Sequence, residues 1–135
     1  MEIHKGRLLD HVHLRVTDLE ASKRFYLAVT ESLRIPLGFE SESAFSIDEL
    51  FVSDDGEPTA RVHIAFQADD EEAVRRFHEA GLAAGGTDNG RPGPRDYHPG
   101  YYAAYVYDPD GNNVEAVFHG PAERSAPSVV FTTPG

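Results

Sequence analysis

Histidine at positions 11 and 63 and glutamate at position 115 are the residues whose types and spacing could do chemistry. Two imidazoles and one carboxylate form a facial set that holds a divalent ion and leaves coordination positions open. A substrate oxygen bound at an open position is polarised or activated by the ion. Glu49 would extend the set to four, His11, Glu49, His63 and Glu115, and Asp48 takes its place if the strand register slips by one. These donors suit Fe, Mn, Ni, Co or Zn. The chain has no cysteine, which excludes thiol catalysis and disulfides.

The elements that must position these groups are half-buried strands. Tyr105 to His119, YVYDPDGNNVEAVFH, reads as strand, tight turn, strand. Val114, Ala116 and Phe118 share one face, which turns Glu115, Val117 and His119 to the other. Leu9 to Val16 alternates in the same way, with Val12, Leu14 and Val16 opposite His11, His13 and Arg15. In Arg61 to Ala68, Val62, Ile64 and Phe66 lie opposite His63, Ala65 and Gln67. A helix is expected from Leu19 to Leu33, capped by Thr17 or Asp18, and a second from Glu71 to Ala83, opened by Asp69 and Asp70 and ended by Gly85-Gly86. Phe45 to Val52 reads as a strand region, and Thr87 to Pro99 as a long Gly/Pro loop. The tail from Gly120 has linker composition with one apolar run, Val129 to Phe131, which either frays or adds an edge strand.

The two halves repeat. HVHLRVTDLEASKRFY, from His11, and HIAFQADDEEAVRRFH, from His63, align without a gap at a spacing of 52, so that Asp18 falls on Asp70 and Phe25 on Phe77. Their ends correspond through Glu49-Leu50-Phe51-Val52 and Glu115-Ala116-Val117-Phe118, at a spacing of 66. An internal repeat constrains the fold strongly. The expectation is an α+β chain of two tandem strand–helix–strands modules, about 8–55 and 60–119, within one domain (1–119) followed by a tail (120–135). Helices would cover the outer apolar faces. A concave mixed sheet would collect His11, His13, Arg15, His63, Gln67, Glu115 and His119 around a shared cavity. Modules this small bury more surface by pairing, so a homodimer is expected.

Composition narrows the partners. A formal net charge of −11 argues against nucleic acid and anionic membrane surfaces. No leader or long apolar run is visible, and cytoplasmic residence is the default expectation.

LDHVHLRVTDLEASKRFY, VHIAF and DPDGNNVE together resemble the vicinal oxygen chelate superfamily, the group of glyoxalase I, bleomycin-resistance proteins, fosfomycin-resistance proteins and extradiol dioxygenases. The resemblance covers about Leu9 to His119, and the run from Ala84 to His119 looks like a bacterial single-domain, glyoxalase-like subgroup. It implies paired βαβββ modules around a divalent metal and a small-molecule substrate, with His11, His63 and Glu115 at the ligand positions and Glu49 at the fourth, glyoxalase-type position. Three functions follow. A glyoxalase-like lyase or isomerase stands first, with Glu115 or Glu49 moving a proton, although no glutathione site is identifiable. An extradiol-type dioxygenase stands second. His98, Tyr105, Asp108, Pro109, Gly111 and Glu115 match the spacing of its pattern, with His98 and Tyr105 as acid/base groups; Ala104 is smaller than that pattern asks. The third is a protein that sequesters an aromatic or cationic compound in a tyrosine-rich cleft containing Tyr97, Tyr101, Tyr102, Tyr105 and Tyr107.

Overall fold

The computed structural model describes residues 2–6, 8–125 and 128–132. Each helix starts where an aspartate caps it. The Asp18 carboxylate accepts from the Ala21 N–H at 3.1 Å and opens α1 (Leu19–Ser32); Asp70 accepts from the Ala73 N–H at 2.7 Å and opens α2 (Glu71–Ala83). Such caps satisfy one of the orphan donors of a first turn and are worth about 1 kcal/mol each. Leu19, Ser22, Phe25, Tyr26, Val29 and Thr30 form the buried stripe of α1; Ala73, Val74, Phe77 and Gly81 form that of α2. This is the spacing of a helix with one face on a core.

Among the described residues ten strands surround them: β1 (Glu2–Lys5), β2 (Val12–Arg15), β3 (Phe39–Glu40), β4 (Ala44–Ile47), β5 (Leu50–Ser53), β6 (His63–Gln67), β7 (Thr87–Pro94), β8 (Tyr102–Tyr107), β9 (Asn113–Phe118) and β10 (Val129–Thr132). Eight of them form two four-stranded mixed sheets of the same plan, β2-β5-β4-β3 and β6-β9-β8-β7. In each, the first strand runs parallel to the last and the others are antiparallel. The tandem α+β organisation expected from the repeat is present, with the βαβββ order that the resemblance implies.

One core joins the modules. Phe25, Tyr26 and Val29 of the first and Val74, Phe77, Val106 and Val114 of the second are all fully buried in a single cluster. Gly86 makes that contact possible. A Cβ there would stand 2.5 Å from Val106 Cγ1 and 2.6 Å from Phe25 Cε1, distances that real side chains do not tolerate. The DPDGNN turn is the second joint. Buried Asp108 accepts from the Asp110 and Asn112 N–H groups through one oxygen, at 2.9 and 2.8 Å. Through the other it accepts from the Tyr26 hydroxyl of α1 at 2.6 Å and from Asn112 Nδ2 at 3.0 Å. The Asn112 side-chain oxygen accepts from the Val62 N–H, which ties the same turn to the approach to β6.

Two expectations change and one open alternative is settled. Phe45 to Val52 is a hairpin rather than one strand, with Asp48 and Glu49 as its two-residue turn and Asp48 at φ 47°. The long loop from Thr87 is mostly β7, paired with β8 through shifted registers near Gly90 and Gly93. The apolar run of the tail does add a strand: β10 pairs antiparallel with β1 in a separate two-stranded ribbon. The remainder of the tail at 126–127 and 133–135 lies outside the described residues.

The ladder also corrects the correspondence between module ends. Val12 pairs with Leu50, and Ile64 pairs with Val114. The bonds that continue each ladder agree: Val16 N–H to Ser53 O and Ala68 N–H to Val117 O, both 2.8 Å. With β2 and β6 offset by 52, the last strands correspond at a spacing of 64, not 66. Phe51, rather than Glu49, therefore occupies the place of Glu115. No helix among the described residues is long and apolar enough to cross a membrane.

Candidate metal and proton-transfer site

Glu115 lies in the middle of its sheet, paired with Tyr105 of β8 on one side and Ala65 of β6 on the other. Its side chain is almost wholly buried. A buried carboxylate is costly unless its oxygens are satisfied, and both are. Oε1 lies 2.8 Å from His63 Nε2, and Oε2 accepts from the Tyr101 hydroxyl. The His63 ring stays half exposed, so the pair opens outward. Cis donors on an ion with bonds of about 2.1 Å lie about 3 Å apart, so the spacing of this nitrogen and oxygen fits a shared divalent ion.

An aromatic wall stands beside the pair. The Tyr105 ring lies 6.1 Å from that of His63. Burial, followed by the Glu115 charge, pushes the Tyr105 phenol up to about 12, so it stays a proton donor at neutral pH. Tyr101 contacts Tyr97, His98 and His119 edge-on at 4.9, 5.3 and 5.5 Å. Burial and the Glu115 bond hold its phenol well above the ordinary value. His98 Nδ1 donates to the Pro99 carbonyl at 2.9 Å, and Nε2 of a neutral His98 then accepts from His119 Nδ1 at 2.9 Å. Arg95 lies over the Tyr105 ring at 5.3 Å and donates to the carbonyls of Arg91, Gly93 and Pro94. Its guanidinium is a fastener of the β7–β8 connection.

The first-module candidates lie apart from this pair. His11 Nδ1 is 2.8 Å from its neighbour Asp10 on the exposed surface. His13 Nε2 meets Ser53 Oγ at 2.7 Å, its ring edge-on to Phe51 at 4.8 Å, and burial pushes its pKa down. His13, Phe51 and Ser53 line a recess of about 460 Å³ with Asp55, and His11 is not part of it. Arg15 is engaged in holding the loop after β5, its Nε donating to Asp55 O at 2.7 Å. Glu49 is half-buried in its turn, where burial and Asp48 beside it raise its pKa. With Gln67 it lines a mainly apolar cavity of about 260 Å³ between the modules. Among the described residues no three His, Cys, Asp or Glu side chains converge as an ion requires. The structure thus brings together His63, Glu115, Tyr101 and Tyr105, with His98 and His119 on their flank, and leaves His11, Glu49, His13, Arg15 and Gln67 outside that group.

The sequence reading placed Tyr101 among pocket-lining residues and missed its bond to Glu115. The loop 95–101 carries no periodicity from which a direction could be read. It also missed Phe51, whose role shows only in the ladder register.

The family model described as Glyoxalase/Bleomycin resistance protein/Dioxygenase superfamily matches residues 8–116. No curated protein matched the chain. Among solved structures, a glyoxalase/bleomycin resistance protein from Albidiferax ferrireducens is 35% identical, with a TM-score of 0.73, over 82% of this chain and 98% of that one. A glyoxalase-related enzyme from Fulvimarina pelagi is 23% identical, with a TM-score of 0.67, over 94% and 99%. A structure named lactoylglutathione lyase, from Agrobacterium tumefaciens, is 22% identical, with a TM-score of 0.62, over 83% and 93%. The last two speak for the fold alone. Taken with the repeated βαβββ plan and a relative that is 35% identical, the match over most of the domain shows that this chain belongs to the glyoxalase/bleomycin resistance protein/dioxygenase superfamily.

Proposed function

We propose that the protein is a metal-dependent enzyme acting on a small molecule with two adjacent oxygens, by glyoxalase-like lyase or isomerase chemistry. The observation that carries this reading is the buried Glu115 carboxylate held beside His63 on an open face. Members of the superfamily commonly bind divalent metals, and His63 and Glu115 are the residues that would hold one here. His11 would complete the set from a second copy of the chain, since its own copy leaves it on an exposed edge. A bound divalent ion would polarise the substrate carbonyl and make the adjacent C–H acidic. Glu115, the buried carboxylate beside His63, would take that proton. Tyr105, neutral at physiological pH, would donate a hydrogen bond to the substrate oxygen.

A second reading has its own support. With Phe51 at the place of Glu115 in the first module, the proposed set would be two histidines and one carboxylate, the arrangement of ferrous oxygenases. Tyr105 and His98, the acid/base pair of the ring-cleaving pattern, both stand near the His63–Glu115 pair.

The test loads metal-free protein separately with Fe, Mn, Ni, Co and Zn. Each form is assayed for isomerisation of hydroxy-carbonyl compounds and for oxygen-dependent opening of catechols. Activity that disappears in Glu115→Gln supports the corresponding reading. Binding of an aromatic compound with neither activity, under every ion, would replace both with a sequestering role.

A further inference from the structure

Glu115 has two oxygens, and the structure treats them differently. Oε1 faces His63 on the open side; Oε2 is capped by the Tyr101 hydroxyl. We infer that Tyr101 is a positioning residue, which holds Glu115 as a one-oxygen donor aimed beside His63. The inference rests on the reading of those two residues as metal ligands, and goes beyond it in assigning what orients the carboxylate.

Tyr101 is built in to do this. Its N–H donates to His98 O at 3.1 Å and its carbonyl accepts from the Arg95 N–H at 2.9 Å, so the loop folds back on itself at the tyrosine. Its ring is packed edge-on by Tyr97, His98 and His119, the two histidines stacked on each other. The residue before it, Gly100, crosses Gly120, which follows β9, the strand that carries Glu115. Both have φ near +90°, and a Cβ added to either would stand 3.2 Å from the Cα of the other. Only glycine fits both the backbone conformation and the crossing. The crossing fixes the Tyr101 loop against the end of the Glu115 strand, and the hydroxyl reaches the carboxylate as a consequence. A carboxylate hydrogen-bonded in this way cannot rotate to offer both oxygens to one ion, and removal of such outer partners weakens metal affinity by about 10–100-fold.

The test compares wild type, Tyr101→Phe and Tyr97→Phe, the last removing a hydroxyl from the same cluster but not from Glu115. Co²⁺ affinity is measured by calorimetry, the Co²⁺ absorption spectrum is recorded, and crystal structures of the ion-free proteins are compared. Tyr101→Phe should bind Co²⁺ at least 10-fold more weakly with a changed spectrum, while circular dichroism and Tyr97→Phe stay as wild type. Equal affinity and an equal spectrum in Tyr101→Phe would overturn the inference. Should wild type bind no ion, the metal reading fails by itself. The ion-free structures then decide the inference: a Glu115 side chain that turns away from His63 in Tyr101→Phe supports it, and one that stays in place overturns it.

Discussion

Tyr26→Phe removes one oxygen atom from the joint between the modules, and its effect can be worked from the structure. The Tyr26 hydroxyl donates to Asp108 Oδ2 at 2.6 Å in a site that solvent barely reaches. Hydrogen bonds to charged groups are worth about 1.5–3 kcal/mol. Oδ2 keeps its second donor, Asn112 Nδ2, so the carboxylate is not stranded and the loss should be about 2 kcal/mol. For a domain of this size that lowers Tm by about 6–8 °C. The assay is urea and thermal unfolding at pH 7, with Asp108→Asn and the double variant completing a cycle. A coupling of about 1–2 kcal/mol is expected. The pH dependence gives an independent check. Burial and Asp108 raise the Tyr26 phenol well above its ordinary value, so the folded chain keeps a proton that the unfolded chain releases above about pH 10. Stability from this group is complete below that pH and falls as pH rises, by about 1.4 kcal/mol per pH unit. Tyr26→Phe should show a shallower alkaline decline than wild type. A loss under about 0.5 kcal/mol at pH 7 together with an unchanged alkaline slope would refute the view that this bond ties the modules together.

Glu49→Gln should leave metal content unchanged, because the ladder gives the position matching Glu115 to Phe51; elemental analysis of the purified variant checks it. The same variant should be no less stable than wild type at pH 7. Burial raises the Glu49 pKa, so its ionised form opposes folding and amide replacement relieves that cost, as urea unfolding would register. Gly100→Ala should cost more than about 1 kcal/mol in stability, because its φ is +92° and the added Cβ would stand 3.0 Å from His119 O; thermal unfolding measures it. His11→Ala and His63→Ala should each lose the ion. If sites are completed between copies, a refolded one-to-one mixture should regain about one ion per four chains, because each mixed dimer keeps one intact site.

The repeat carried most of the fold. Asp18 and Asp70 lie 52 residues apart and both cap helices, so the alignment of the two halves located both strand–helix units in the sequence. Alternation placed His63 and Glu115 on one face of their strands, and the structure joins them at 2.8 Å. What failed was register at the end of the first module. Glu49-Leu50-Phe51-Val52 resembles the Glu115 strand in composition, but a two-residue turn begins at Asp48, and a shift of two residues leaves every side chain on its former face. Periodicity cannot detect such a slip; only the ladder does. The strand β7 was hidden for another reason. Its Gly and Pro residues read as loop, yet the pairing with β8 accommodates them through register shifts near Gly90 and Gly93. The part played by Tyr101 depends on an aperiodic loop and on two glycines crossing, neither of which has a pattern along the chain.

The central claim is that His63 and Glu115 are two of the three protein ligands of a divalent-metal site. Its most direct test is the metal content, by elemental mass spectrometry, of wild type and His63→Ala purified without chelator. The account predicts a near-stoichiometric divalent ion in wild type and its loss in the variant. Wild type without metal even after incubation with each of Fe, Mn, Ni, Co and Zn, or an ion retained in full by His63→Ala, would contradict it.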